Sequence, residues 1–151
     1  MRRFSYWAAI LAAWFLLAGC QEMDTSAGKL RFDRDICERC KMIISDRNHA
    51  LEVVYPKERR RYYFDDVGCL ALWVRDNQIS WLPEALIYVT DFSNGRWIEA
   101  RSAAWVEGYI TPMAFGYAAF APEKKEMLEA QGKHIYQFSE VMETIQKEKE
   151  R

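Results

Sequence analysis

Two runs of β-branched and aromatic residues, each broken by a turn and then resumed, constrain the fold of this chain more than any other feature. Residues 50–55 (Ala-Leu-Glu-Val-Val-Tyr) give way to Pro56-Lys57-Glu58-Arg59, and residues 61–64 (Arg-Tyr-Tyr-Phe) resume the pattern, which is the composition of a β-hairpin. Residues 85–90 and 96–99 flank Ser93-Asn94-Gly95, whose Asn-Gly pair supplies the positive φ of a tight hairpin turn. Between the hairpins Val67, Leu70, Ala71 and Val74 recur at helical spacing, with Asp65 or Asp66 as N-cap of a helix over residues 67–75 that contains Cys69. Residues 103–106 suit a short strand or a helical turn, and residues 117–120 a strand. Pro122 suits the start of a helix running to about residue 131 and stopped by Gly132 at C′. Residues 134–138 predict a last strand, and Ser139 the cap of a charged C-terminal helix. Strand pairs mixed with helices, without βαβ alternation, predict a single compact α+β domain.

The N-terminus has a different character. Arg2 and Arg3 precede an apolar stretch over residues 6–18 that ends in Leu17-Ala18-Gly19-Cys20. A basic start, a short apolar middle and small residues are the parts of a secretory signal, too short for a permanent membrane helix. Leu-Ala-Gly-Cys further resembles the lipobox of bacterial lipoproteins, in which the cysteine takes lipid and becomes the first residue of the mature chain. The organisation expected is a signal peptide over 1–19, lipidated Cys20 and a flexible tether over 20–30, and one compact domain over 31–151. The product would be exported and lipid-anchored to the membrane on its periplasmic or extracytoplasmic face. The formal charge of −1 becomes −3 when Arg2 and Arg3 leave with the signal, so no basic field gathers nucleic acid. Arg59-Arg60-Arg61 fits a solvated hairpin turn better than a phosphate site.

Cysteine counting points to chemistry. With Cys20 lipidated, Cys37, Cys40 and Cys69 remain, and three cysteines in an oxidising compartment cannot all pair within one chain. Cys37-x-x-Cys40-x-Met42, with Met113 in Thr111-Pro112-Met113, offers soft sulfur donors that favour Cu(I) over harder cations. Three other readings stay open at this point. Zinc would have to recruit Cys69 and a histidine. A thioredoxin-like dithiol lacks a clean strand before Cys37 and a long helix after Cys40. A plain Cys37–Cys40 disulfide leaves Met42 and Met113 as coincidence. Pro112 stiffens the Met113 segment, and Ala114 and Gly116 keep its surroundings small. Met127 and Met142 read as core filler and Met23 as tether. His49 and His134 read as strand-end surface residues, and of Asp65 and Asp66 one caps the helix and the other meets solvent. Cys69 reads as a small buried apolar residue in preference to a third thiolate. No nucleophile–base arrangement, phosphate loop or dinucleotide fingerprint is present.

Several motifs occur together in a recognisable order: the lipobox, Asp35-Ile-Cys37-Glu-Arg-Cys40-Lys-Met42-Ile-Ile, Tyr63-Phe-Asp-Asp-Val-Gly-Cys69, Val89-Thr-Asp91 with Gly95-Arg-Trp97-Ile-Glu-Ala100, and Thr111-Pro-Met113 with Gly116-Tyr-Ala-Ala-Phe120. This order resembles the NosL family, accessory lipoproteins of nitrous-oxide reductase maturation, over about residues 35–138. The resemblance implies a non-enzymatic Cu(I) metallochaperone with a fold like that of alkylmercury lyase. It implies copper held by Cys40 and Met42, with Met113 as third donor and Cys37 as an alternative or transfer thiol. The partner implied is nitrous-oxide reductase or another exported copper protein. Members usually carry glycine where this chain has Lys41, so the loop is expected either to fold less tightly or to gain a cation that lowers a neighbouring thiol pKa. The alternative from another class is an exported thiol–disulfide oxidoreductase acting through Cys37 and Cys40 on a copper protein. A carbon–metal bond-cleaving enzyme rests on fold analogy alone and ranks last.

Overall fold

The computed structural model describes residues 22–148; the signal segment and Cys20 lie outside the described residues. The strands are β1 (Leu51–Tyr55), β2 (Arg60–Phe64), β3 (Leu86–Thr90), β4 (Trp97–Glu99), β5 (Ala104–Glu107) and β6 (Tyr117–Phe120), and the helices are α1 (Val67–Asp76), α2 (Lys125–Ala130) and α3 (Phe138–Glu148). This is the α+β architecture the sequence predicts. Two antiparallel sheets form, one in the order β2-β1-β3-β4 and one of β5 and β6.

Register decides which residues meet. Leu51 lies opposite Phe64 and Val89, and Val53 opposite Tyr62 and Ile87. Because side chains alternate along a strand, these residues share one face with Tyr55. That face forms the main core with Val67, Leu70 and Ala71 of α1 and Val141 and Ile145 of α3. The two helices are tied together by Gln146 Nε2 donating to the Ala71 carbonyl at 2.9 Å and by Arg75 Nη1 donating to the Gln146 carbonyl at 3.1 Å.

The opposite face carries Glu52, which is fully buried. Residues 22–30, expected as a flexible tether, instead lie along this face. Glu52 Oε2 accepts from the amides of Gly28 (2.8 Å) and Lys29 (3.1 Å), and Glu52 Oε1 pairs with Arg61. Arg61 also donates to the carbonyls of Ser26 and Asp24, and Tyr88 Oη to that of Thr25. A polar segment with little apolar surface is ordered here because its backbone groups satisfy a buried ion pair. Arg61 therefore departs from the solvated-turn expectation, whereas Arg59 fits it, closing the turn in the left-handed region at φ 54°.

Three local expectations change. The second hairpin closes through residues 91–96, since Thr90 and Trp97 form its last pair, and Gly95 alone of Asn94-Gly95 takes positive φ. A two-residue turn is displaced by buried Asp91, whose Oδ1 accepts from the Ser93 amide and hydroxyl and whose Oδ2 accepts from Lys124 Nζ and the Ala121 amide. The helix expected from Pro122 begins as a 3-10 turn and becomes α2, which ends as predicted: Gly132 at φ 76°, with Lys133 N donating to the Leu128 carbonyl at 3.0 Å. The strand expected over 134–138 shrinks to one bridge between Tyr136 and Trp105 because Phe138 enters α3. Ser139 sits inside the first turn, and Glu140 Oε2 accepts the Gln137 amide at 2.6 Å in the cap's place. Residues 103–106, left open between strand and helical turn, resolve as β5. Met142 is core filler as expected, but Met127 is exposed.

Replacing Glu52 with alanine leaves the Arg61 guanidinium without its partner and frees two strap amides. Chemical denaturation should show a loss of about 3 kcal/mol, and hydrogen exchange at Gly28 and Lys29 should rise more than in β1.

Candidate metal centre

The site forms where the Cys37–Met42 loop closes on the free edge of β2. Asp33 N donates to the Ile44 carbonyl and Ile44 N to the Asp35 carbonyl, while Ile36 and Ile43 form a bridge. Within this small hairpin Cys37 N donates to the Met42 carbonyl at 2.9 Å, and Lys41 N to the Cys37 carbonyl at 3.1 Å. Glu38 N donates to the Tyr63 carbonyl at 2.9 Å, fastening the loop to β2. Lys41 takes the left-handed conformation at φ 61°. The loop thus folds tightly without glycine at this position, at a strain cost of about 1 kcal/mol. The Lys41 ammonium lies 3.4 Å from Glu38 Oε2, and it is not among the causes that lower a thiol pKa here.

One residue beyond β2 the chain reaches Asp65 and Asp66. Asp66 is the N-cap of α1: its Oδ1 accepts the Gly68 amide at 3.0 Å. Its Oδ2 accepts the Thr111 hydroxyl at 2.5 Å and the Met113 amide at 3.1 Å. Burial pushes the Asp66 carboxyl up from the usual carboxylate range, against the opposing pull of those three donors. The 111–116 loop is further seated by Phe115, whose ring occupies the space where a Cβ on Gly68 would stand. Met113 is in this way carried, half-buried, to the N-terminus of α1.

Asp65 does not meet solvent. It is 3% exposed, and its carboxylate joins the sulfurs of Cys37, Cys40 and Cys69, with all four ligand atoms within 4.8 Å of one another. Cys40 Sγ lies 3.4 Å from Asp65 Oδ2, whereas Asp65 Oδ1 is buried without a hydrogen-bond partner. Cys37 and Cys69 are fully buried and Cys40 is half-buried. All three thiols are free, and no Cys37–Cys40 disulfide forms. Met42 stands at the lip of the cluster, 51% exposed, with its amide directed at the Cys40 sulfur.

The thiols are electrostatically unequal. Cys37 is held down at about 7, first by the Cys69 thiol donating to it and then by the amides of Cys40, Asp65 and Arg39, with burial opposing. Cys40 is pushed up to about 11, first by burial and then by the neighbouring Cys37 sulfur and Asp65 carboxylate. Cys69 is pushed up because its own thiol proton is donated in a hydrogen bond to Cys37, because it is buried, and because the Asp65 carboxylate lies beside it. The arrangement is one readily ionised thiol with two less acidic thiols beside it, a nucleus onto which a soft cation can collect further sulfur.

Sequence reasoning named Cys37, Cys40, Met42 and Met113. The structure brings the two cysteines together, sets Met42 at the exposed rim and brings the Met113 backbone to the adjacent helix end. It adds Asp65 and Cys69: Asp65 precedes the extended N-cap Asp66 and Cys69 lies in the first turn of α1, so no helical periodicity pairs them and only the chain's path from β2 into α1 does. His49, expected at the surface, is buried against Phe92 with Nδ1 3.0 Å from Asp46 Oδ1; His134 is exposed.

A protein-family model described as NosL matches residues 31–146. No curated protein matches the chain. Among solved structures, the chain is similar to the crystal structure of the copper chaperone NosL from Shewanella denitrificans, with a TM-score of 0.60 and 21% identity over 78% of this chain and 96% of that one. At that identity the likeness speaks for the fold.

Two outcomes follow from the geometry. Lys41→Gly relieves the left-handed strain but adds flexibility to the unfolded chain, so denaturation should show a net gain of up to about 1 kcal/mol. In a pH titration of thiolate absorbance on the metal-free protein, one thiolate should appear through about pH 7 and vanish in Cys37→Ser, while Cys40 ionises only near pH 11. Because the folded Cys37 value lies below its ordinary 9.0, its contribution to stability is complete above pH 9 and is lost as pH falls through 7.

Proposed function

The chain belongs to the NosL family, and on that basis we propose that it is a membrane-anchored Cu(I) metallochaperone delivering copper for assembly of the nitrous-oxide reductase copper centre or of another exported copper protein. The observation that carries this reading is the convergence of three free thiols within 4.8 Å beneath an exposed thioether-bearing loop. Copper here is cargo, and its site needs affinity without enclosure. Thiolate and thioether sulfur suit Cu(I), and a half-exposed Cys40 next to exposed Met42 offers an incoming ligand a point of exchange. Met113, held on the Asp66 side of the same helix end, is proposed as a further donor, and Cys37 as the thiolate that receives or releases the ion from below. No catalytic step is required.

An anchor on Cys20 gives the strap a purpose. Residues 22–25 share a concavity with Pro56, Lys57 and Arg59 at the β1–β2 turn, whereas the thiols lie beyond the other end of β2. A five-residue strand separates the ends by about 17 Å. The docked strap then holds the turn toward the lipid and presents the thiols away from it. Among the described residues no helix is long and apolar enough to cross a membrane.

The thiol–disulfide oxidoreductase is less well served by the geometry. The thiol with depressed pKa is fully buried, and the more accessible Cys40 is pushed up to about 11, the reverse of an attacking thiol that must be both ionised and reachable.

An anaerobic Cu(I) titration of the full chain in detergent, with Cys20→Ser so that only the three domain thiols remain, tests the proposal. One Cu(I) per chain is expected, with affinity lowered at least about tenfold by Met42→Leu, which corresponds to about 1.4 kcal/mol, and more by Cys40→Ser. Weak copper binding, or indifference to both substitutions, would overturn it.

A further inference from the structure

We propose that the β1–β2 turn is a contact surface for phospholipid headgroups, on which Arg59 and Arg60 hold lipid phosphate and fix how the domain stands on the bilayer. The proposal rests on the anchored reading, in which Cys20 carries the lipid. By itself the sequence favours a solvated turn. The strap changes that, because its backbone is bonded to Glu52, Arg61 and Tyr88 and Cys20 lies only two residues before its docked end. Two residues span at most about 7 Å, so an acyl chain on Cys20 brings the docked end to the headgroups.

That end faces the turn. Residues 22–25 lie across an open concavity of about 800 Å³ from Pro56, Lys57 and Arg59. Three cations here already have partners: Lys57 pairs with Glu84, Lys29 with Asp24 and Arg61 with Glu52. Arg59 and Arg60 are exposed and form no ion pair among the described residues. Arg60 is poised by Tyr62, whose ring centre lies 5.5 Å from the guanidinium carbon. A guanidinium fork matches phosphate oxygens with two parallel hydrogen bonds, which a single ammonium cannot do. Glu22 and Glu58, equally exposed and in no ion pair among the described residues, balance the two arginines, so long-range attraction does not bring this surface to the bilayer. The anchor does, since a short linker sets an effective concentration of about millimolar, at which a weak contact is filled.

The aromatic residues at this end suit the same neighbour. Tyr55, the last residue of β1, stacks on half-buried Trp81 with ring centres 4.3 Å apart. Leu86, 37% exposed, opens β3 opposite Val54. Rings with an apolar body and a polar tip settle at headgroup level. With the turn seated there, the thiols beyond the other end of β2 stand at a constant distance from the membrane.

The acylated chain, extracted from membranes and placed in nanodiscs of phosphatidylethanolamine and phosphatidylglycerol that contain a headgroup-spin-labelled lipid, tests the proposal by NMR. Amides of residues 57–60 and 22–25 should be strongly broadened and those of residues 37–42 should not. In Arg59→Gln/Arg60→Gln the broadening at 57–60 should fall at least about twofold while residues 22–25 keep theirs. Neither arginine side chain bonds to the strap, and unchanged amide shifts in β3 and β4 report that the variant is folded. Equal broadening of 57–60 in parent and variant would mean proximity through the tether alone and would overturn the headgroup contact. So would uniform broadening over the whole domain, or turn shifts that respond to inorganic phosphate without broadening in the nanodisc. The intact mass separates the two readings: a chain without acyl mass overturns the anchor and the contact with it, whereas an acylated chain with an unbroadened turn overturns the contact alone.

Discussion

The Asp66 carboxylate is the interaction on which the functional end of this molecule depends. It is 1% exposed and accepts three hydrogen bonds, from the Gly68 amide, the Thr111 hydroxyl and the Met113 amide. A buried carboxylate is costly, and burial does push its pKa up; the three donors and the positive end of α1 offset that cost. The first bond starts the helix that carries Cys69. The other two bring a loop more than forty residues distant onto the same helix end. Its neighbour Asp65, one residue earlier in the chain, is thereby turned toward the thiols.

A second buried carboxylate organises the opposite side of the sheet. Glu52, the second residue of β1, pairs with Arg61 across the hairpin while gathering the amides of Gly28 and Lys29. The pair and its hydrogen bonds cover a sheet face that would otherwise be open. The two carboxylates divide the labour along the hairpin: Glu52 secures the strap that runs back toward the N-terminus, and Asp66 secures the end where sulfur collects. A metal-handling site placed at a strand end, on a loop fastened to rigid elements at both sides, combines accessible ligands with a fixed geometry beneath them.

Much of the fold was legible. The hairpin of β1 and β2, α1 with its aspartate cap, β3 with β4, β6, and the glycine stop at Gly132 all follow from side-chain periodicity, turn residues and capping chemistry. The departures share a cause. Asp91 reshaped the second hairpin loop by bonding Ser93 and reaching Lys124 and Ala121 across the fold. Arg61 and residues 22–30 were read as solvated because their burial depends on Glu52, and His49 as superficial although Phe92 packs on it. Each polar group looked exposed in isolation and found its partner at long range.

Of the site, the sequence by itself determined the sulfur-rich loop, its spacing and the surplus of thiols beyond any single disulfide, because ligand type and spacing are local properties of the chain. Helical periodicity also placed Cys69 inside α1. Only the tertiary structure decided that Asp65 and Cys69 join Cys37 and Cys40 in one cluster while Met42 stays at its rim. That choice depends on the Glu38 amide meeting the Tyr63 carbonyl and on Cys40 reaching a carboxylate 25 residues away, and contacts between distant backbone segments leave no mark in either segment alone.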